Sequence, residues 1–527
     1  MTWQPEVDEI EYRRQLALRM GGEERVKDQH DRGKLTVRER IAALIDEGSF
    51  REQYPLAGSA VYKDGKLEDF VARRNVFGLA RLDGRPVIIS ADDYTARPAS
   101  GSAGVPARGG GGGSMPRYGS GDHMALALKL PLVRLVDGFG ADIRGTQGTG
   151  ATHIPIMAWD TITAMLQEVP LVAVALGSIA GAPAALMAGC HFSVMVKGIS
   201  QVFAAGPPVV KRSLYLDIDK EDLGGYKVHA RGSGLIDNEA EDEYDAFRQV
   251  RRFLSYLPTN VHKMPPVQEC VDDSPDRREP ALIDFIPRDR LKPYNPRKLV
   301  DLIVDKGSAF EIGRYYGRSQ VTMFARINGK PVGVLANDPV HHGGGMEATA
   351  ARKLEKFVDL CDTFHLPVVN FADQPGFVVG PAAESAGTLK EGARALTAIE
   401  QATVPWCTVI VRRLYGVAGQ AHQAHSRWVY RFAWPSGEWG SIPIEGGIAA
   451  AYRREIENAP DPEARQRELE AQLAAIRGAP FRTAEIGGVE DIVDPRETRP
   501  MLCEWVDLVY EQRVAHDLGI KHRGMRP

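Results

Sequence analysis

Apolar residues along this chain come in short runs, separated by turn residues and by segments with one polar face. Residues 8–45 carry a helical period, interrupted at RVKDQHDRGKLT and restarting at TVRERIAAL behind Thr36 as an N-cap. Between 55 and 92, NVFGLARL and PVIISADD read as two strands joined by a Leu-Asp-Gly-Arg turn. Beyond residue 122, buried-type strands alternate with helical segments, the pattern of an α/β core. The stretch Val169–Val196 has no formal charge and exceeds the ~20 residues that cross a bilayer. Yet Pro170, Gly177, Gly181, Pro183 and Gly189 break it, so a strand LVAVAL, a glycine turn and a helix AALMAG are predicted, with no membrane span. Prolines and charges cluster at 257–297 and end the periodicity. The predicted organisation is a domain over 1–262, a linker over 263–297 and a domain over 298–527. The run at 461–477 reads as an exposed amphipathic helix.

The two halves echo one another. LPLVRLVDG (130–138) precedes VPLVAVALGSIAGAPA (169–184), and LPVVNFADQ (366–374) precedes VPWCTVIVRRLYGVAG (404–419). Leu-Pro to Asp spans the same distance in both, ending at Asp137 and Asp373, and Pro170 to Ala182 matches Pro405 to Val417. A duplicated fold of two like domains follows. The small-residue turn between each second strand and its helix leaves several N–H groups pointing one way, at the positive end of the helix. That arrangement suits a developing oxyanion, such as the enolate oxygen of a thioester, and it equally suits close helix–strand packing.

Composition narrows the classes. The net charge of −4 over 527 residues gives no bulk basic field for nucleic acid. The five cysteines form no CxxC pair, so neither a zinc ribbon nor a disulfide framework is expected. The acidic N-terminus lacks an apolar or Arg-rich targeting segment, and a cytoplasmic location is expected. Glycine, at 54 residues, is enriched over the usual level of about 7%. Part of the surplus is ARGGGGGS (107–114), which lacks the GK[ST] of a phosphate loop. His341 and His342 have no carboxylate or cysteine support, and no metal is expected.

Longer segments carry a resemblance. GGEERVKDQHDRGKLTVRERIAALIDEGSF (21–50), AAGPPVVKR (204–212), EDLGG (221–225) and RGSGLID (231–237) stand in the first half. NDPVHHGGGMEATAARKLEKFVDLCD (337–362), FADQPGF (371–377), EQATVPWCTVIVRRLYG (400–416), WPSGEWGSIPIEGG (434–447) and DPRETRP (494–500) stand in the second. In this order, over nearly the whole chain, they resemble the carboxyltransferase (β) subunit of biotin-dependent acyl-CoA carboxylases, the propionyl- and methylcrotonyl-CoA carboxylase type.

The resemblance implies an α/β fold of two tandem crotonase-like (ClpP/crotonase) β-β-α superhelix domains. It also implies a homo-oligomer, commonly a hexamer, with the active site between the first domain of one protomer and the second domain of another. Acyl-CoA lies on the first-domain side and carboxybiotin on the second. No Met-Lys-Met tripeptide or ATP-grasp glycine loop occurs, so biotin and biotin carboxylase are expected on a partner (alpha) subunit. In the implied reaction, backbone oxyanion holes stabilise an acyl enolate that attacks CO2 released from carboxybiotin.

Carried over residue by residue, the second hole falls on Val417 and Ala418 after Gly416, and the first on Ala182 and Pro183 after Gly181. Relatives carry Gly-Gly-Ala across Gly181–Pro183, and Pro183 removes one N–H. Phe139, Gly140, Ala141, Gly206 and Pro207 fall on the acyl-CoA side, and Gln420 at a position that tunes acyl-chain preference. Lys34 and Arg38 are candidates for CoA phosphates, Arg38 alternatively pairing with Glu39 or Asp46. Gly376, Phe377 and Tyr415 fall on the biotin side, Tyr415 alternatively a core aromatic; His422 and His425, near the Val417 turn, are placed for catalysis or alternatively for core or interface packing. The rival readings are a decarboxylase or transcarboxylase with the same holes, and a weakly active structural paralogue.

Overall fold

Fully buried strands alternating with helices build one mixed sheet in each half of the chain. The computed structural model describes residues 2–96, 120–138, 159–269, 272–420, 422, 429–477 and 480–521. The chain divides into two units, Met1–Lys263 with Ile520–Pro527, and Met264–Gly519.

In the first unit the sheet runs Arg51–Glu52, Asn75–Leu82, Arg85–Asp92, Leu132–Val136, Leu171–Ala175, Phe192–Val196, Asn238–Ala240. Its first two pairings are antiparallel, and every pairing from Ile88↔Leu132 onward is parallel. The second sheet repeats this plan through Phe310–Glu311, Gln320–Ile327, Lys330–Asn337, Val368–Gln374, Trp406–Tyr415, Val429–Ala433 and Asp491–Ile492. Again two antiparallel pairings precede a parallel run. The central parallel strands are buried on both faces, which is why they read as unbroken Val/Leu/Ile runs rather than alternating ones.

Helices precede the paired strands at matching places: Gly121–Leu128 and Trp159–Leu166 in the first unit, Ala348–Thr363 and Thr388–Gln401 in the second. The repeat extends to a short side pairing. Ser178–Ala180 runs parallel to Gln201–Phe203, and Arg413–Tyr415 runs parallel to Glu438–Gly440. Each unit has its own apolar core, around Leu132, Leu171, Met187 and Met195 in one and around Val334, Val369, Val409 and Trp434 in the other. Among the described residues no helix is long and apolar enough to cross a membrane.

Local expectations hold where local chemistry decides. Thr36 caps Val37–Leu44 in a reciprocal box: its hydroxyl accepts from Glu39 N–H, and the Glu39 carboxylate accepts from Thr36 N–H at 2.7 Å. Asp83 (φ 49°) and Gly84 (φ 76°) make the tight turn between the two predicted strands.

One expectation is corrected. The segment RVKDQHD is helical, within Glu23–Asp31, because its charges face solvent and Glu23 and Glu24 favour the first turn; the break comes at Gly33 (φ 71°). Within the stretch 263–297, expected to be a linker, residues 272–297 pack onto the second unit. Leu282 and Tyr294 are buried in its core, and Arg277 donates to the carbonyls of Leu302 (2.8 Å) and Val304 (2.9 Å). Hydrogen bonds hold this segment where apolar periodicity does not, so its sequence carries no periodic signal. The glycine run 109–113 lies outside the described residues.

Candidate active site

In the first unit, Gly181 (φ 72°, ψ −130°) turns the chain from Ser178–Ala180 into the helix Ala182–Ala188, a backbone conformation that L side chains rarely adopt. A Cβ there would meet nothing within 4 Å, so the space above the turn is open. The Gly181 N–H donates to Phe203 O at 3.3 Å, tying this turn to the neighbouring one at Gly206, which starts the helix Pro207–Leu214. No side chain caps the Ala182–Ala188 helix. Its first N–H groups have no intrahelical acceptor, which is also why proline is tolerated at Pro183. Proline at this position fits the helix start and offers no N–H to the turn. Gly181 and Ala182 are exposed, whereas Met187 is buried in the core and lines no open space. Phe139, Gly140 and Ala141 lie outside the described residues, as does His425.

Against Gly177, four residues before this turn, sits Asp137, the aspartate that ends the first repeat. It is buried, and its Oδ2 accepts from Lys34 Nζ (2.6 Å), Arg40 Nη1 (2.8 Å) and Gln29 Nε2 (3.3 Å). Arg40 also clasps Glu243 at 2.7 Å and donates to Leu176 O at 3.1 Å. Burial pushes the Lys34 ammonium down from its ordinary value against the pull of Asp137. Lys34, expected at CoA phosphates, is therefore engaged inside the protomer. Arg38 forms a forked pair with Glu52 (2.5 and 3.1 Å), not with Glu39 or Asp46. Neither partner is near in sequence, which is why local reading missed both.

Gly177 packs so tightly on this cluster that a Cβ would lie 1.9 Å from Asp137 Oδ1. Gly177→Ala is expected to destabilise the protein by about 1–3 kcal/mol through overpacking, seen as a lowered urea midpoint. An unchanged midpoint would mean that the cluster yields freely.

The second unit repeats the arrangement with different side chains. Trp406–Tyr415 runs into Gly416 (φ 61°) and the short helix Gly416–Gln420. Val417 is 53% exposed, Ala418 is wholly buried and anchors the turn, and Gln420 is exposed beside it. Asp373, the aspartate of the second repeat, is wholly buried. Its Oδ2 accepts from Arg412 Nη2 (2.8 Å) and Nε (3.0 Å), and its Oδ1 from Arg413 Nε (2.6 Å) and backbone N–H (3.2 Å). Burial alone would raise this carboxyl, but the bonds from Arg413 and Arg412 hold it below the ordinary carboxylate value. The signal was present in sequence as two arginines inside an otherwise apolar strand, VPWCTVIVRRLYG. Both clamps fix the strand end just before the turn that carries the candidate donors.

Gly376 and Phe377 follow Gln374, which pairs with Leu414, so they lie at the same strand-end edge as Gly416. Gly376 (φ 128°) faces open space, and the half-buried Phe377 ring rests on the backbone of Gly392. Tyr415 is 2% exposed and is the core aromatic rather than a wall open to a ligand. Among the described residues no group of three His, Cys, Asp or Glu is placed to hold a metal ion.

Comparison with known proteins matches residues 28–525 to the carboxyl transferase domain family. The propionyl-CoA carboxylase carboxyltransferase subunit of Haloferax mediterranei is 33% identical over 521 residues, covering 97% of this chain and 98% of that protein. The human mitochondrial propionyl-CoA carboxylase beta chain is 33% identical over 526 residues, 96% of this chain and 91% of that one. Among solved structures, transcarboxylase 12S, a hexamer assembly with methylmalonyl-coenzyme A and methylmalonic acid bound, matches with a TM-score of 0.83 at 29% identity, over 100% of this chain and 99% of that one. The likeness bears out the crotonase-like α/β fold. With the family match spanning residues 28–525 and relatives along its whole length, the chain belongs to the carboxyl transferase domain family and is a carboxyltransferase of the biotin-dependent acyl-CoA carboxylase type.

Proposed function

We propose that this chain moves a carboxyl group from carboxybiotin, borne by a partner carrier, to the α-carbon of a short acyl-CoA. The observation that carries the reading is the pair of turns at Gly181 and Gly416, each closing a parallel strand pairing and each opening an uncapped or very short helix. N–H groups at such a turn are already oriented before charge develops on an enolate oxygen, so they need no reorganisation as the reaction proceeds. By the register of the repeat, Ala182 is the counterpart of Val417 and Pro183 that of Ala418. Ala182 and Val417 are the donors retained in both halves. Gly206 and Pro207 border the first turn and belong to the acyl-CoA side; Gln420 borders the second and bears on acyl-chain choice.

The open backbone at Gly376, at the same strand-end edge as Gly416, suits an uncharged bicyclic ring system such as that of biotin, and Tyr415, 2% exposed, backs this edge from the core. When bound, carboxybiotin supplies the CO2 unit. This chain's residues orient the acyl thioester, hold its enolate and exclude water. A homo-oligomer, a hexamer as in transcarboxylase 12S, and a partner subunit bearing biotin carboxylase and carrier complete the assembly.

Purified chain, with biotin carboxylase and biotinylated carrier, is expected to fix labelled bicarbonate into acetyl-, propionyl-, branched or hydroxyacyl-CoA. No fixation with any of these, in a system validated with an active β subunit, would overturn the reading. Exchange from methylmalonyl-CoA without net fixation would instead support the transcarboxylase reading that the 12S likeness favours.

A further inference from the structure

His422 is wholly buried, just past the helix that carries Val417. Its neighbours decide its protonation. Asn337 Oδ1 accepts from the Asp373 backbone N–H at 3.0 Å, and Gln374 Oε1 accepts from the Gly376 N–H at 3.0 Å. Both amide oxygens are thereby committed, so both NH2 groups turn toward His422 Nε2, each at 3.4 Å. Asn370 is oriented in the same way, because its Nδ2 donates to His422 O at 3.1 Å. That leaves Asn370 Oδ1 as the acceptor facing Nδ1 at 3.2 Å. Nδ1 therefore carries the proton, and Nε2 is a lone pair facing two donors. Thr408 adds a bond to the His422 carbonyl at 2.6 Å, and the His422 N–H returns to Gly419 O at 3.1 Å.

His422 thus joins three segments: its ring reaches the Gly376 turn through Gln374 and the clamped Asp373 through Asn337, and its backbone N–H holds the turn at Gly416–Gln420. We propose that His422 is a positioning residue, held as the neutral Nδ1–H tautomer, which keeps the Val417 donor in register with the Gly376 turn. This rests on the reading of Val417 as an oxyanion donor. Burial, against the nearby charge of Asp373, lowers its pKa to about 4, consistent with a lone pair that two amide donors occupy. The ring does not act as a general base, since both nitrogens are engaged and neither reaches solvent.

The test uses the assembled carboxylase. His422→Met, which removes both ring bonds, is expected to lower kcat about 10- to 100-fold, the range for sub-ångström to 1 Å misplacement of a catalytic group, with KM for acyl-CoA unchanged. His422→Gln keeps an acceptor toward Asn337 and Gln374 and is expected to recover most of kcat. Solid-state 15N spectra of histidine-labelled protein, with His422 assigned by difference from the Gln variant, should show a protonated Nδ1 from pH 8 to 5. Equal kcat in Met, Gln and parent proteins, equal losses in Met and Gln, or an Nε2–H or doubly protonated ring would each overturn the proposal. If Val417→Pro is inactive while His422→Met is fully active, the positioning role alone fails; if Val417→Pro is fully active, the donor reading fails. A Met variant that does not fold leaves the Gln variant and the wild-type spectra to decide.

Discussion

Replacing Val417 with proline is expected to lower kcat of the assembled enzyme about 10²–10³-fold, the usual cost of one oxyanion donor and equivalent to ~2.7–4 kcal/mol of transition-state stabilisation. The substitution is chosen to remove one hydrogen and little else. Val417 lies in the first turn of Gly416–Gln420, where an N–H has no intrahelical acceptor and proline is accommodated. Its side chain is 53% exposed, so no core volume is vacated. The thermal midpoint should stay close to that of the parent while turnover collapses, and Val417→Ala, which keeps the N–H, should retain turnover. A proline variant with near-parental kcat would remove the second-half turn from the mechanism. The first half already carries proline one position further on, at Pro183, so the same chemistry predicts that its turn works through Ala182 without that second donor.

Asp373→Asn is expected to cost about 3–5 kcal/mol of stability, because it leaves the buried Arg412, and the partly exposed Arg413 beside it, without their counter-charge. The carboxylate takes five hydrogen-bonding contacts from the two arginines, at 2.6–3.2 Å. An amide has one oxygen for this purpose and points an NH2 group at a guanidinium. The urea unfolding transition of the variant should move to markedly lower concentration, and residual folded protein should turn over slowly, since the clamp fixes the strand end that leads into Gly416. The sign of the pH dependence follows from the same contacts. The folded-state pKa lies below the ordinary carboxylate value, so the stabilisation is fully present above that ordinary value. It is lost as pH falls through the depressed one, and the parent should lose this increment only in strong acid. A variant as stable as the parent would show that the arginines find other partners.

Much of the architecture was legible because it depends on local or periodic information. Thr36 reads as an N-cap from its local sequence, and the structure caps the helix there, with Glu39 completing a reciprocal box. The repeated Leu-Pro-to-Asp and Pro-to-turn distances anticipated two sheets of the same order, and the agreement extends to the side pairings at Ser178 and Arg413. Interactions between distant positions were not legible. Lys34 resembles a phosphate ligand in sequence, but its partner in the fold is Asp137, 103 residues away. Tyr415 stood equally well as core or pocket, and only its burial decided. The segment 272–297 looked like a linker because side-chain-to-carbonyl bonds, such as those of Arg277, leave no hydrophobic period.

The sequence by itself determined the duplication, the α/β alternation and the two small-residue turns, since each is written in short-range spacing or in residues that leave backbone exposed. Tertiary structure alone decided what holds those turns in place. The buried anchors are Asp137 with Lys34 and Arg40, Asp373 with Arg412 and Arg413, and His422 between two amides. A buried charge or imidazole is tolerable only with partners of matching geometry. Those partners come from separate strands and loops, so pairing them required the folded chain.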